Sequence, residues 1–174
     1  MKKQLFKIPL VFFLFILSIF LYLLVIDRNP SEIPSNLLNK DAPKFETKSL
    51  LNSEKFFSDK EFGNEPIIVN FFATWCKPCR DEHVYIKSFA NEVKVIGINY
   101  KDDPEKAILW LEEFGNPYSN VAIDKRGKIA IDWGVYGIPE TFLINSNGII
   151  HYRHVGPITQ SIYKKISLMI ANID

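Results

Sequence analysis

The chain has 174 residues, with 21 Lys and Arg against 20 Asp and Glu, for a formal net charge of +1. That balance excludes a dedicated nucleic-acid surface, which needs a clustered basic excess. Cys76 and Cys79 are the only cysteines, so no framework of structural disulfides holds the fold.

The first element is apolar. Lys2, Lys3 and Lys7 precede an uncharged run from Ile8 to Ile26, closed by Asp27 and Arg28. As a helix rising about 1.5 Å per residue, the run spans roughly 28 Å, near the ~30 Å of a bilayer core. It is apolar on every face, unlike a half-buried helix of a water-soluble domain. The clustered lysines favour a cytoplasmic N-terminus, with the rest of the chain outside. A cleavable signal would carry a shorter apolar core and a small-residue cleavage site, and Val25-Ile26-Asp27-Arg28-Asn29-Pro30 offers none. An uncleaved anchor over residues 1–28 is therefore expected. Residues 29–40, polar and interrupted by Pro30 and Pro34, read as a linker, and residues 41–174 as one domain. From Asn29 onward the charges number 17 basic and 19 acidic, a well-mixed net −2.

Within the domain, Asp41 to about Asp59 reads as short strands or turns. Ile67–Phe72 is a continuous apolar run bounded by turn residues, the pattern of a buried strand. A helix follows over Arg80–Ala90, with the two cysteines at its start. Val93–Asn99 is a second strand. Asp103-Pro104 pairs a capping residue with a proline tolerated in a first helical turn, opening a helix to about Phe114 that Gly115-Asn116-Pro117 stops. Val121–Ile123 is a short strand. Thr141–Ile144 and Ile149–His154 are strands joined by the turn Asn145-Ser146-Asn147-Gly148. Thr159 caps a last helix with Ile162, Ile166, Met169 and Ile170 on one face. Strands alternating with helices and ending in a hairpin predict an α/β fold, a mixed central sheet flanked by helices.

The chemistry concentrates at Trp75-Cys76-Lys77-Pro78-Cys79. Two cysteines separated by two residues, at a helix start fed by a strand, have the spacing of a reversible dithiol. A structural clip over so short a loop constrains the unfolded chain little. Cys76 is the expected nucleophile, at the helix N-terminus where free N–H groups and the dipole favour a thiolate; Cys79, one turn inward, is the expected resolving thiol. Trp75 offers a flat apolar platform beside the site. In Gly137-Ile138-Pro139-Glu140-Thr141, an X-Pro bond before a strand can be cis, and the Ile138 backbone could pair with an extended client strand. Asn70, six residues before Cys76, cannot shuttle a proton. Glu82, three residues past Cys79, could do so, and Glu140 would lie near the sulfurs; a solvent-facing side chain is the ordinary alternative for both carboxylates. Cys76, Cys79 and His83, with His151 or His154, have plausible metal-ligand spacing and keep a copper-handling protein open, although the pair alone fits no closed zinc site. Attached haem is disfavoured because Arg80, not histidine, follows Cys79.

The stretches Asn70–Cys76, Cys79-Arg80-Asp81-Glu82-His83, Gly97–Asp103, Gly115-Asn116-Pro117-Tyr118 and Gly134–Ile144 resemble the membrane-anchored thioredoxin-like proteins of cytochrome c maturation, the CcmG/DsbE family. The resemblance covers about Asp41 to Pro157 and the anchor. It implies a thioredoxin-like fold with an N-terminal hairpin extension and a central insertion near Tyr100–Tyr118. It implies a single-pass inner-membrane protein with a periplasmic catalytic domain. Its dithiol would reduce apocytochrome c, directly or through a maturation thiol protein, drawing electrons from a membrane thiol transporter of the DsbD/CcdA type. No cofactor or metal is implied beyond the Cys76–Cys79 pair. Glu82 and Glu140 match the family's acidic residues, Pro139 its cis-proline, and Asn70 its amide where general thioredoxins carry an aspartate. A related anchored reductase for oxidase assembly or thiol repair shares these expectations.

Overall fold

A computed structural model describes residues 7–25, 37–52, 54–62 and 65–173. Two units are separable: Met1–Pro30 and Ser31–Asp174. In the first, Lys7–Val25 forms one helix, α1, with exposed apolar side chains throughout its described face. It is long and apolar enough to cross a membrane, with a mean hydropathy of 2.5 over Lys7–Leu24. A membrane anchor and a signal sequence both have this form. Most of the expected linker, residues 29–36, lies outside the described residues.

The second unit joins its fold at Leu37, ahead of the expected boundary at Asp41. Asn39 N donates to Ile150 O and Ile150 N to Lys40 O, both at 2.9 Å, so this turn already belongs to the sheet edge. Strands β1 (Glu46–Lys48) and β2 (Phe56–Ser58) form an antiparallel hairpin. Five further strands make the central sheet: β3 (Ile67–Phe72), β4 (Lys94–Tyr100), β5 (Asn120–Asp124), β6 (Glu140–Ile144) and β7 (Ile150–Val155), in the order β5-β4-β3-β6-β7. β3, β4 and β5 run parallel, and β6 and β7 antiparallel to their neighbours. The parallel crossovers are α2 (Lys77–Phe89) and α3 (Pro104–Phe114); α4 (Lys128–Asp132) precedes β6 and α5 (Gln160–Ile170) closes the chain. This is the expected mixed sheet, and the insertion expected between Tyr100 and Tyr118 is α3, which delivers β5 as an added edge strand.

Strand alternation divides the core in two. Ile68 and Phe72 of β3 face a cluster with Ile86 and Phe89 of α2, Trp110 and Leu111 of α3, and Ile166 of α5. Ile67, Val69 and Phe71 face the opposite cluster, with Phe57 of the hairpin, Ile129 of α4 and Trp133. Both faces of β3 are buried, which is why its sequence is a continuous apolar run rather than an alternating one. The sequence pattern left α4 and Trp133 unassigned. Five residues are too short for a periodic signal, and the helix is held by Asp124, whose Oδ2 accepts from Ala130 N at 2.9 Å. Trp133 is fully buried, its ring 5.1 Å from Phe142 and 5.7 Å from Phe71.

Candidate active site

The loop Ala73–Trp75 turns the chain from β3 into α2. It is fastened by Asp102, four of whose hydrogen bonds are seen. Thr74 donates its N–H at 2.6 Å and its hydroxyl at 2.9 Å, Asn99 Nδ2 donates at 3.0 Å, and the Asp103 N–H at 2.9 Å. Lys101 sits in the left-handed region, φ 44°, and its carbonyl accepts from Trp75 Nε1 at 3.2 Å. Trp75 stays 59% exposed, its ring tilted against that of Tyr100 with centroids 6.5 Å apart.

Cys76 is the N-cap of α2 and Cys79 lies within the first turn, with Pro78 between them at a position that needs no N–H partner. The two sulfurs form a disulfide, S–S 2.07 Å and Cα–Cα 5.3 Å. Cys76 Sγ accepts from Cys79 N at 3.1 Å, so the helix N-terminus points a donor at the outer sulfur. Both cysteines are nearly covered: Cys76 keeps 5% of its surface and Cys79 2%. The outer position of Cys76 is therefore a small margin of access, not an open one. Lys77 pairs with Asp81 at 3.0 Å on the solvent side of α2.

The Ile138–Pro139 peptide is cis, and Ile138 O lies 3.8 Å from Cys76 Sγ. Pro139 is buried and Ile138 half-buried between both clusters. The loop expected to face the dithiol does so through its backbone.

The two carboxylates fare differently. Glu82 is 1% exposed; its Oε1 accepts from Asn70 Nδ2 at 2.8 Å and its Oε2 from Ile158 N at 2.7 Å. The ordinary expectation of a solvent-facing Glu82 is corrected: the apolar face of α2 turns it under the sheet together with Cys79, one turn earlier. Burial pushes its pKa to about 8, with the Ile158 and Asn70 hydrogen bonds opposing the rise. Glu140 is also fully buried, yet its carboxylate does not face the sulfurs. Thr141 of β6 points at Asn70, so alternation sends Glu140 to the opposite face of the sheet. There Arg153 Nε and Nη2 both reach Oε2 at 2.7 Å, and Tyr136 N donates to Oε1 at 3.2 Å. Burial pushes the Glu140 pKa up while the Arg153 charge pulls it down. Arg153 was not visible as a site residue in the sequence: its partner is thirteen positions away and is brought opposite by the β6–β7 pairing.

The histidines do not assemble with the cysteines. His83 is buried, with Nε2 2.8 Å from Gly115 O and its ring edge-on to Trp110, centroids 4.5 Å apart. Burial depresses its pKa. His154 Nε2 lies 3.3 Å from Pro157 O. Among the described residues, no three His, Cys, Asp or Glu side chains converge to hold a metal.

A disulfide closing a helix N-terminus, flanked by a cis-proline loop and a buried carboxyl, is the arrangement of a thiol-exchange site. The redoxin family model matches residues 37–167. Thiol:disulfide interchange protein DsbE of Escherichia coli K12 is 42% identical over 170 residues, covering 95% of this chain and 92% of that protein. The chain belongs to the DsbE (CcmG) family of redoxins. DsbE of Vibrio cholerae is likewise 42% identical over 162 residues, covering 91% of this chain and 88% of its own. The fold is shared with a crystal structure of a putative thiol:disulfide interchange protein DsbE from Chlorobium tepidum, with a TM-score of 0.69, 22% identity and coverage of 78% and 96%. A secreted thiol-disulfide isomerase from Corynebacterium glutamicum gives a TM-score of 0.71 at 19% identity, covering 84% of this chain and 95% of its own. A DsbE-type chain carrying the Cys76–Cys79 pair is a thiol:disulfide oxidoreductase.

Proposed function

We propose that this oxidoreductase works as a membrane-anchored periplasmic reductant of apocytochrome c, acting directly or through a maturation thiol protein before haem attachment. The observation that carries the chemistry is the buried Glu82 beside the dithiol. Its pKa, pushed to about 8 by burial, lets it take up and release a proton near neutral pH, one helical turn from Cys79.

In the reduced enzyme the Cys76 thiolate attacks a client disulfide and forms a mixed disulfide, releasing one client thiolate. Cys79 then gives its proton to Glu82 and attacks Cys76 Sγ. The second client thiolate leaves, and the Cys76–Cys79 disulfide seen in the structure remains. Two electrons have moved to the client, and the dithiol itself holds them with no further cofactor. Trp75 and the Ile138 carbonyl frame the approach to Cys76, with Pro139 setting the turn of that backbone. Glu140 serves by anchoring this loop through Arg153. Electrons return through a membrane thiol transporter of the DsbD/CcdA type. Helix α1 is the inner-membrane anchor, with the N-terminus cytoplasmic.

The test is a Cys79→Ala chain expressed in cells, which should accumulate mixed disulfides through Cys76. Capture of apocytochrome c or its maturation thiol proteins supports the reading. Capture of copper-oxidase assembly proteins instead would replace it.

A further inference from the structure

The central insertion ends in Gly115-Asn116-Pro117-Tyr118, and this ending packs against β3 and α2, on the residue that holds Glu82. Asn116 Oδ1 accepts from Tyr118 N at 2.9 Å, and Gly115 O is held by His83 of α2. The Tyr118 ring stacks on Phe72, centroids 4.8 Å apart, and its hydroxyl donates to Asn70 Oδ1 at 2.8 Å. Space for that ring is made on β4. Gly97 stands in register with Asn70, and a Cβ there would come within 2.9 Å of Phe72 Cε1 and 3.0 Å of Tyr118 Cγ.

A buried amide can sit two ways. Only one gives the Tyr118 phenol proton an acceptor. That orientation leaves the Asn70 N–H groups for Glu82 Oε1 at 2.8 Å and Thr141 Oγ1 at 3.1 Å. Burial and the Glu82 charge push the Tyr118 pKa well above its ordinary value, so the hydroxyl stays a donor.

We propose that Tyr118 is a positioning residue of the thiol chemistry: by fixing the amide of Asn70, it decides whether Glu82 meets a donor or an acceptor. This rests on the reading of Glu82 as the acceptor of the Cys79 proton. The step is Cys79–SH attacking Cys76–S–S–R. The Cys79–Cys76 bond forms, the S–R bond breaks, RS⁻ leaves and the proton goes to Glu82. With Tyr118 in place, the Asn70 donor favours the carboxylate that receives it. Without the hydroxyl, Asn70 Oδ1 loses its partner and the amide turns its oxygen toward Glu82. A protonated Glu82 can donate to that oxygen, so the carboxyl keeps its proton to higher pH.

Other titratable or charged groups stand on the described elements packed about Glu82. Cys79 and His83 share its helix, His154 stands in register with Thr141 on the same sheet face, and Lys165 lies on α5. His83 and His154 are both pushed down by burial, which favours their neutral forms.

The experiment uses the reduced full chain in detergent and an aromatic disulfide reagent that releases a coloured thiolate. The first release reports attack by Cys76, and the second reports resolution by Cys79. In the parent chain the second rate should inflect where Glu82 titrates, near pH 8. In Tyr118→Phe, which keeps the ring, the inflection should move up by about one pH unit, the size expected for losing one hydrogen bond to the charged form. Gly97→Ala, which displaces the ring, should move it the same way. An unmoved inflection in Tyr118→Phe overturns the proposal. If Glu82→Gln abolishes the inflection in that case, only the role of Tyr118 falls. If Glu82→Gln also leaves it unmoved, Glu82 is not the acceptor and the proton step of the proposed function falls as well.

Discussion

The two faces of the central sheet each bury a glutamate close to the dithiol loop, and they give it different partners. On the α2 face the donors to Glu82 among the described residues are neutral, Asn70 Nδ2 and Ile158 N, and burial pushes its pKa to about 8. On the other face Glu140 meets the Arg153 guanidinium at 2.7 Å, which also reaches Gly134 O at 2.8 Å and lies over Tyr136 and Phe142. Two carboxyls of equal burial thus differ in their partner. In the proposed function Glu82 exchanges a proton near neutral pH, whereas Glu140, paired with Arg153, pins the loop that carries Ile138 and Pro139.

The comparison breaks most visibly at Arg153. Arg153→Met strands a buried carboxyl and should cost about 3–5 kcal/mol in chemical denaturation, with much of the loss recovered by adding Glu140→Gln. If the single substitution is nearly neutral, Glu140 does not depend on its cation.

Glu82 sharpens the contrast through pH. Its folded pKa is raised from 4.5 to about 8, so the folded state keeps a proton that the unfolded state releases between those values. The stability contribution is full below about pH 4.5, falls as pH rises to about 8, and is flat above. That fall amounts to roughly 5 kcal/mol. Glu82→Gln should remove this slope, read from denaturation midpoints across the pH range. A slope that persists in the Gln variant would assign the effect to another group.

A smaller effect is expected at Asp102, which ties the insertion to the loop before Cys76. Asp102→Ala should cost about 2 kcal/mol and shift the tryptophan emission as Trp75 is freed. Unchanged emission would mean that Trp75 is held by its own contacts, such as the tilted Tyr100 ring. Least is expected of Lys77→Gln. The Lys77–Asp81 pair is exposed, and its loss should leave stability within about 0.5 kcal/mol.

Much of this was legible along the chain. The strands Ile67–Phe72 and Lys94–Tyr100 and the capped helix Pro104–Phe114 follow apolar runs and local caps, so they appear within a residue or so of where the pattern put them. Cys76 and Cys79 were readable because their chemistry lies in their spacing. Glu82 had only a position on a helix, which fits a surface residue as well as a buried one. The sheet face taken by Glu140 is not legible in the sequence, because a strand's alternation has two phases and neighbouring residues alone do not say which phase faces the helix. Arg153 gave no local signal, and Gly97 and Tyr118 stood out only as parts of the stretches that carry the family resemblance; each matters through a partner on another strand or loop.

Period, caps and spacing are local properties of the chain, and they suffice for the apolar first helix, the order of strands and helices and the dithiol at a helix start. That Arg153 pairs with Glu140, and that Tyr118 lies over Gly97 to hold Asn70, came from the packed fold. Those outcomes depend on which residues sheet registry and helix packing bring together, and a linear pattern carries no term for that.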